Sequence, residues 1–397
     1  MNKQTIDDIR VTSKRVLVRV DFNVPMEQQR VTDDTRIKES LPTIKAILQH
    51  GGRAILMSHL GRPKGKRNME FTLQPVAERL SKLLDKPVKF APDCIGAEVK
   101  AMVSQLRDGE CLLLENLRFH NEEEANDENF SRELAGLGDV YVNDAFGSAH
   151  RAHASTEGVT RFLKPAVAGY LMKKELEYLS RAVGNPLRPY AAILGGAKIS
   201  GKIDVIQNLM NKVDTLLIGG AMMFTFYKAE GMETGTSLVE ADKVDLAKQI
   251  LNEAKKRNIK LILPVDCVIG EKFENTTTEK TVSVKQIPAG WMGLDIGPET
   301  VKLFGSELRK AKTVVWNGPM GAFEMDKFAE GTTAIARVLA DITKQGATTI
   351  VGGGDSAAAL VKAGMEKSVS HVSTGGGASL EFLEGKVLPG VAALTDK

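Results

Sequence analysis

Short apolar runs alternate with stretches of helical spacing along nearly the whole chain. In the first half the runs are VLVRV (16–20), AILMS (54–58), CLLLEN (111–116) and DVYVND (139–144). The second half supplies YAAIL (190–194), TLLIG (215–219), LILPV (261–265), TVVW (313–316), TTIV (348–351) and a segment near VSHV (369–372). Runs that are apolar throughout suit parallel strands covered on both faces by helices. Between the two sets, Met172, Leu176, Leu179 and Val183 recur at three- and four-residue spacing, after Pro165 and before Gly184 and Pro186, which predicts a connecting helix. The pattern therefore predicts an α/β protein of two doubly wound, Rossmann-like parallel-sheet domains joined by a helix, with a central cleft. The expected boundaries are 1–168, 169–185 for the helix, and 186–379. No internal repeat or low-complexity tract interrupts it.

The length of 397 residues agrees with two domains, since a single core stops growing well below that size. A net charge of +3 is too balanced for a nucleic-acid binder. Cys94, Cys111 and Cys267 lie far apart without a C-x-x-C pair, so neither a disulfide framework nor a zinc site is indicated and buried thiols in a reducing compartment are expected. MNKQTIDDIR carries charges where a signal peptide needs an apolar run, and no apolar stretch reaches membrane-spanning length. A cytoplasmic protein, with neither a nucleic-acid nor a membrane partner, is expected.

Chemistry enters with VGGGDSAAAL (351–360), in which three glycines, Asp355 and Ser356 stand between a strand and a helix. Such a turn lets backbone N–H groups at a helix start approach a phosphate, and it places Asp355 to reach a metal on that phosphate. STGGGAS (373–379) follows the next apolar segment and adds a second glycine loop. Gly352, Gly354 and Ala357 also fit a G-x-G-x-x-A dinucleotide fingerprint, but the following strand ends in HVSTGGG without the acidic ribose ligand. GRPKGK (61–66) falls one residue short of a Walker P-loop.

The first-half strands run into DFNVP, SHLGRPKG, LRFH and AFGSAHRAHAST. Ligands of open parallel sheets bind at the carboxyl ends of strands, so these turns should gather His59, Arg62, Arg118, His150, Arg151 and His153, with Arg36 nearby. That set suits a small, highly anionic ligand, because guanidinium groups grip carboxylate and phosphate with paired hydrogen bonds. Taken singly, Arg62 and Lys64 also read as solvated loop charges, and His150 with His153 as a helix-start pair. In the second half Lys198 and Lys202 lie four apart, on one helix face or at its start, and suit bridging phosphates. Asn317 and Glu324 follow the TVVW strand. Met222, Met223 and Phe226 read first as core and second as a wall for a base.

Nine separated motifs, RVDFNVP, DDTRI, SHLGRPKG, LLLENLRFH, NDAFGSAHRAHAST, LGGAKISGKI, WNGPMGAFE, GGGDS and STGGGASLE, resemble phosphoglycerate kinases in family order, and the likeness continues to LEGKVLPGVAAL. The resemblance implies reversible phosphoryl transfer between ATP and the carboxylate of 3-phosphoglycerate, giving ADP and 1,3-bisphosphoglycerate, with Mg²⁺, in a monomer. Carried over by motif, it gives the acid substrate to Asp21, Phe22, Asn23, Arg36, His59, Leu60, Gly61, Arg62, Arg118, His150, Arg151 and His153 in the first domain. Nucleotide falls to Lys198, Lys202, Gly219, Gly220, Gly293, Asn317, Glu324, Gly353, Gly354, Asp355 and Ser356 in the second, with Asp355 on the metal. Arg36, Lys198, Gly375 and Gly376 are expected to stabilise the phosphoryl group in flight. It also implies that 380–397 returns to the first domain. Two departures stand out: MEQQR (26–30) where a glycine-containing hairpin is typical, and Ser356 where threonine is frequent.

Residue chemistry agrees with such a reaction. A carboxylate nucleophile is ionised at neutral pH, so transfer needs positioning and charge neutralisation more than a base. Ligands held on separate domains would require closure to exclude water. The competing readings are an NAD-dependent dehydrogenase, which lacks its ribose carboxylate here, and a non-catalytic two-lobed anion-binding protein, which has no use for two distinct glycine loops.

Overall fold

The computed structural model describes residues 2–397. The chain divides into two units, Met1–Glu177 with Val387–Lys397, and Tyr178–Lys386. The division falls inside the helix Tyr170–Gly184, where the sequence periodicity predicts one.

In the first unit, six parallel strands form a sheet: β1 (Arg15–Arg19), β4 (Arg53–Met57), β5 (Val88–Phe90), β6 (Cys111–Leu113), β7 (Val140–Asn143) and β8 (Ala166–Ala168), in the order β5-β6-β4-β1-β7-β8. β1 lies between β4 and β7, with Leu17 opposite both Ile55 and Tyr141. Chain direction across the sheet reverses there, which makes the carboxyl ends of β1, β4 and β7 the crevice-forming edge. β5 and β8 escape the hydrophobic pattern because VKF of β5 is interrupted by an exposed lysine and AVA of β8 is a short run of small residues. At the β8 edge the backbone is paired instead by the chain ends: Ala168 N–H donates to Gln4 O at 2.9 Å and Thr395 N–H to Ala166 O at 2.8 Å. Covering an edge in this way removes a template for aggregation.

The departure at 26–30 forms a small hairpin, β2 (Met26–Glu27) with β3 (Arg30–Val31). Gln28 and Gln29 both take left-handed backbone conformations, φ 46° and 59°, where Asn-Gly is the usual solution. The helix Tyr170–Gly184 is capped from the end of β7: Asp144 Oδ1 accepts the N–H groups of Leu171 at 2.9 Å and Met172 at 3.2 Å. Burial pushes the Asp144 carboxyl up to about 6 despite these bonds. Gly169 is required there, because a Cβ would stand 2.2 Å from Asp144 Oδ1.

The second unit repeats the plan with β9 (Tyr190–Leu194), β10 (Thr215–Ile218), β11 (Lys260–Ile262), β15 (Thr313–Asn317), β16 (Thr348–Gly352) and β17 (His371–Val372), all parallel, in the order β11-β10-β9-β15-β16-β17. To this it adds an antiparallel sheet that the sequence reading does not anticipate: β12 (Asp266–Gly270) between β13 (Glu279–Ser283) and β14 (Met292–Ile296). The polar, largely exposed EKTVS of β13 has no apolar signal to read. Met222, Met223 and Phe226 are buried, in agreement with their core reading, and the three cysteines are buried and unpaired. No helix among the described residues is long and apolar enough to cross a membrane.

Candidate active site

Four first-unit loops at the carboxyl ends of β1, β4, β6 and β7 are locked to one another by their own polar groups. Asn23 Oδ1 accepts Gly61 N–H at 2.9 Å, and Arg118 Nη1 donates to Gly61 O at 2.9 Å. Asn116 holds Leu60 at both ends, accepting its N–H at 3.2 Å and donating to its carbonyl at 2.7 Å. Gly61 has φ 61°, and a Cβ there would lie 2.4 Å from the Phe71 ring. Side chain and backbone thus divide the labour: Phe22 and Leu60 are buried anchors, whereas Arg62 points outward with no hydrogen-bonding or ion-pair partner among the described residues.

The charged groups of these loops do converge. Arg36, at the start of the helix Thr35–Gln49, donates from Nη1 to Asp21 Oδ2 at 2.7 Å. Arg151 Nε lies 3.2 Å from His150 Nε2. Arg118 approaches Glu124 Oε1 at 3.3 Å through Nε. His59 is held far below its ordinary basicity, first by burial and then by the charges of Arg19, Arg118, Arg36 and His153. Burial likewise brings His153 down to about 3, reinforced by Arg19, Arg118, Arg151 and His150. Both imidazoles are therefore neutral at pH 7, and the positive field comes from the arginines.

Arg19 is the residue that the sequence reading missed. It is 1% exposed, inside VLVRV, and its guanidinium reaches Ser155 Oγ at 2.8 Å and His59 Nδ1 at 3.0 Å. Its charge opposes the effect of burial on Glu123, whose carboxylate binds Ser155 through both N–H (3.0 Å) and Oγ (2.6 Å). An arginine inside an otherwise apolar parallel strand was the available signal, because a charge there must find a buried partner.

The second unit offers a different surface. β16 ends at Gly352, Gly353 turns with φ 93°, and the helix Gly354–Lys362 starts with its first N–H groups unpaired by the helix itself. The turn is braced by Asn317, which donates from Nδ2 to Gly352 O at 2.9 Å. Lys202 in turn hydrogen-bonds Asn317 Oδ1. Burial brings the Lys202 ammonium down to about 8, with Asp355 opposing the shift. Ser356 is fully buried and its Oγ accepts Gly318 N–H at 2.6 Å, so its hydroxyl ties two loops together.

The remaining second-unit residues are more dispersed. Lys198 is exposed in the turn after β9, while Lys202 is half-buried before the helix Ile203–Leu209, so both precede that helix rather than sharing one of its faces. Gly219 and Gly220 have packing reasons of their own: a Cβ would meet Met320 Sδ at 2.5 Å and Gly196 N at 2.4 Å. At Gly293 an added Cβ would similarly stand 2.0 Å from Phe224 Cζ. Glu324 and Asp355 are exposed carboxylates. In the second glycine loop the Gly375 amide donates to Ser373 Oγ at 3.2 Å, and Gly376, with φ 45°, caps the helix Gly377–Leu383.

Chemically, the first unit presents an arginine-rich cluster of a kind suited to a compact anion, and the second presents helix-start amides with a partly desolvated lysine of a kind suited to phosphates. Known proteins resemble the chain along its whole length. The phosphoglycerate kinase family model matches residues 6–386. The phosphoglycerate kinases of Chloroherpeton thalassium and Chlorobium limicola are each 62% identical to this chain, with 100% of both sequences covered. Solved phosphoglycerate kinases from Coxiella burnetii and Pyrococcus horikoshii superpose with TM-scores of 0.89 and 0.86 at 40% and 33% identity, each covering 98% of both chains. By sequence along its full length and by fold, the chain belongs to the phosphoglycerate kinase family.

Proposed function

We propose a division of labour between the two units for the reaction that family membership assigns, phosphoryl transfer between ATP and 3-phosphoglycerate. The acid substrate is held in the first unit by Arg62, Arg118 and Arg151, with His59, His150 and His153 as hydrogen-bonding groups and Asp21 and Asn23 fixing the loops. Nucleotide phosphates are held in the second by the amides of Gly353 to Ser356 and by Lys198 and Lys202, with Gly219, Gly220 and Gly293 along the base and Glu324 at the ribose. The observation that carries the reading is the opposition of two environments. Four arginines, Arg19, Arg36, Arg118 and Arg151, surround neutral His59 and His153 in one unit, whereas a glycine turn opens a helix start beside Lys202 in the other.

The donor set at the helix start fits Mg²⁺. A single exposed carboxylate, Asp355, stands beside amides that orient phosphate oxygens, and Mg²⁺ is commonly bound by one or two carboxylates plus phosphates and waters. Bound there, the ion would neutralise phosphate charge. Arg36 stabilises the migrating phosphoryl group: its pairing with Asp21 fixes the guanidinium while 38% of the side chain stays exposed to meet a ligand. Lys198, Gly375 and Gly376 contribute to the same end. Neutral histidines suit this chemistry, because a carboxylate already ionised needs hydrogen-bonding groups and no base. A monomeric cytoplasmic enzyme is the accompanying expectation.

A coupled assay with ATP, Mg²⁺ and 3-phosphoglycerate tests the reading. Folded protein without turnover would sink it. Neither the dehydrogenase nor the non-catalytic alternative gains support, and a fluorescence titration with dinucleotide would expose the former.

A further inference from the structure

Phosphoryl transfer makes no use of a cluster that the first unit assembles behind Arg118. We infer that Asp93, Cys94 and His120 form a separate metal-binding site, suited to zinc. One ligand atom from each residue lies within 4.8 Å of the other two. Tetrahedral zinc, with ligand bonds of about 2.0 to 2.3 Å, holds neighbouring donors roughly 3.3 to 3.8 Å apart, so side-chain adjustment of about an ångström closes the set.

The three residues come from two loops. Asp93 and Cys94 follow β5, and His120 follows β6; Glu115 N–H donates to Asp93 O at 3.3 Å and joins the loops. The carboxylate already links the other two ligands. Asp93 Oδ1 lies 2.7 Å from His120 Nε2 and accepts Cys94 N–H at 2.7 Å. Asp93 and His120 are partly exposed and give a cation its way in, while Cys94 is fully buried behind them.

The surroundings favour a cation. The charges acting on Cys94 are those of Asp93 and Glu123, and those acting on His120 are Asp93 and Glu122. The Phe130 ring covers His120 from the helix Glu128–Ala135 at 5.3 Å and contributes no charge. Burial and these carboxylates push the Cys94 thiol well above its usual range, so it is no nucleophile by itself. A divalent ion reverses that balance. On binding, the Cys94 thiol releases its proton to solvent and His120 coordinates as the neutral imidazole, leaving thiolate, imidazole and carboxylate as donors with water in the fourth position. Sulfur and nitrogen donors select zinc over magnesium, which prefers six oxygens.

Chelator-treated full-length protein is titrated with Co²⁺ as a spectroscopic substitute for zinc. A thiolate-to-cobalt charge-transfer absorption should saturate near one equivalent and vanish on adding Zn²⁺. It should be absent in Cys94→Ser, require at least about tenfold more cobalt in His120→Gln, and persist in Cys111→Ser, with near-UV circular dichroism confirming that each variant is folded. No charge-transfer band in the parent protein overturns the inference. So does a band that survives Cys94→Ser or has unchanged cobalt affinity in His120→Gln.

Discussion

Lys202 should make nucleotide affinity depend on pH above 7, where the phosphates of MgADP are already ionised. Burial brings its ammonium down to about 8, with Asp355 pulling the other way, and its Nζ is held against Asn317 at the base of the glycine turn. From that value about nine-tenths of the protein carries a charged Lys202 at pH 7 and about one-tenth at pH 9. Phosphate oxygens bind the ammonium and not the amine, so the apparent affinity for MgADP should fall about tenfold across that interval, about 1.4 kcal/mol. This lies just under the roughly 1.5 to 3 kcal/mol expected for complete loss of a charge-assisted contact. At pH 8, where half the lysines are neutral, binding should take up about half a proton. Calorimetric titrations at pH 7, 8 and 9, repeated in two buffers of different ionisation enthalpy, measure both quantities. Lys202→Met should show weak, pH-independent affinity with no proton uptake. Equal heats in both buffers at pH 8 with a flat affinity profile would refute the reasoning, since Lys202 would then either stay charged or never meet a phosphate.

Other outcomes follow from the same geometry. Arg36→Ala should lower kcat by roughly a thousandfold, about 4 kcal/mol, while changing KM for 3-phosphoglycerate far less; a kcat within tenfold of the parent and a steep rise in KM would make Arg36 only a binding residue. Arg62→Ala and Arg151→Ala should weaken 3-phosphoglycerate and spare MgATP, whereas Asp355→Asn should do the reverse, each by about 1.5 to 3 kcal/mol in calorimetry. Comparable losses for both ligands in Arg62→Ala would contradict the assignment of the ligands to different units. Asp295 is a buried carboxyl that desolvation raises to about 8, against the N–H groups of Gly331 and Ile296. Below about pH 4 it is protonated both folded and unfolded; as pH rises from there through 8 the unfolded chain ionises first and native stability falls, by at most about 6 kcal/mol. Asp295→Asn should therefore gain on the parent in denaturant unfolding as pH increases from 4 to 8, and parallel stability curves would mean that the two amides keep Asp295 ionised.

Apolar runs sufficed to read most strands of both parallel sheets, because a strand buried on both faces is apolar along most of its length, as YAAIL of β9 is throughout. Met172, Leu176, Leu179 and Val183 likewise announced the helix Tyr170–Gly184, since its period is a local property. Elements whose reason lies elsewhere in the chain were illegible. β8 is three residues long and depends on Gln4 and Thr395 for its outer hydrogen bonds, and β13 is a polar strand defined by its pairing with β12.

The candidate site divides along the same line. Residue types and order determined that an arginine and histidine set would follow the first-half strands and that glycine turns would follow the later ones, because parallel strands deliver their loops to one edge. Only the tertiary structure decided which of these groups carry charge or face a ligand. Neutral His59 and His153 depend on being buried beside Arg19, a residue with no local mark except its place in an apolar strand. Lys198 and Lys202 look alike in sequence, yet one is exposed while the other is desolvated against Asn317, 115 residues away. Ser356, read as a phosphate ligand, turns its hydroxyl inward to Gly318. Burial and partnership set protonation and orientation, and both are properties of groups brought together from distant parts of the chain, whereas strand and helix periodicity belong to each segment alone.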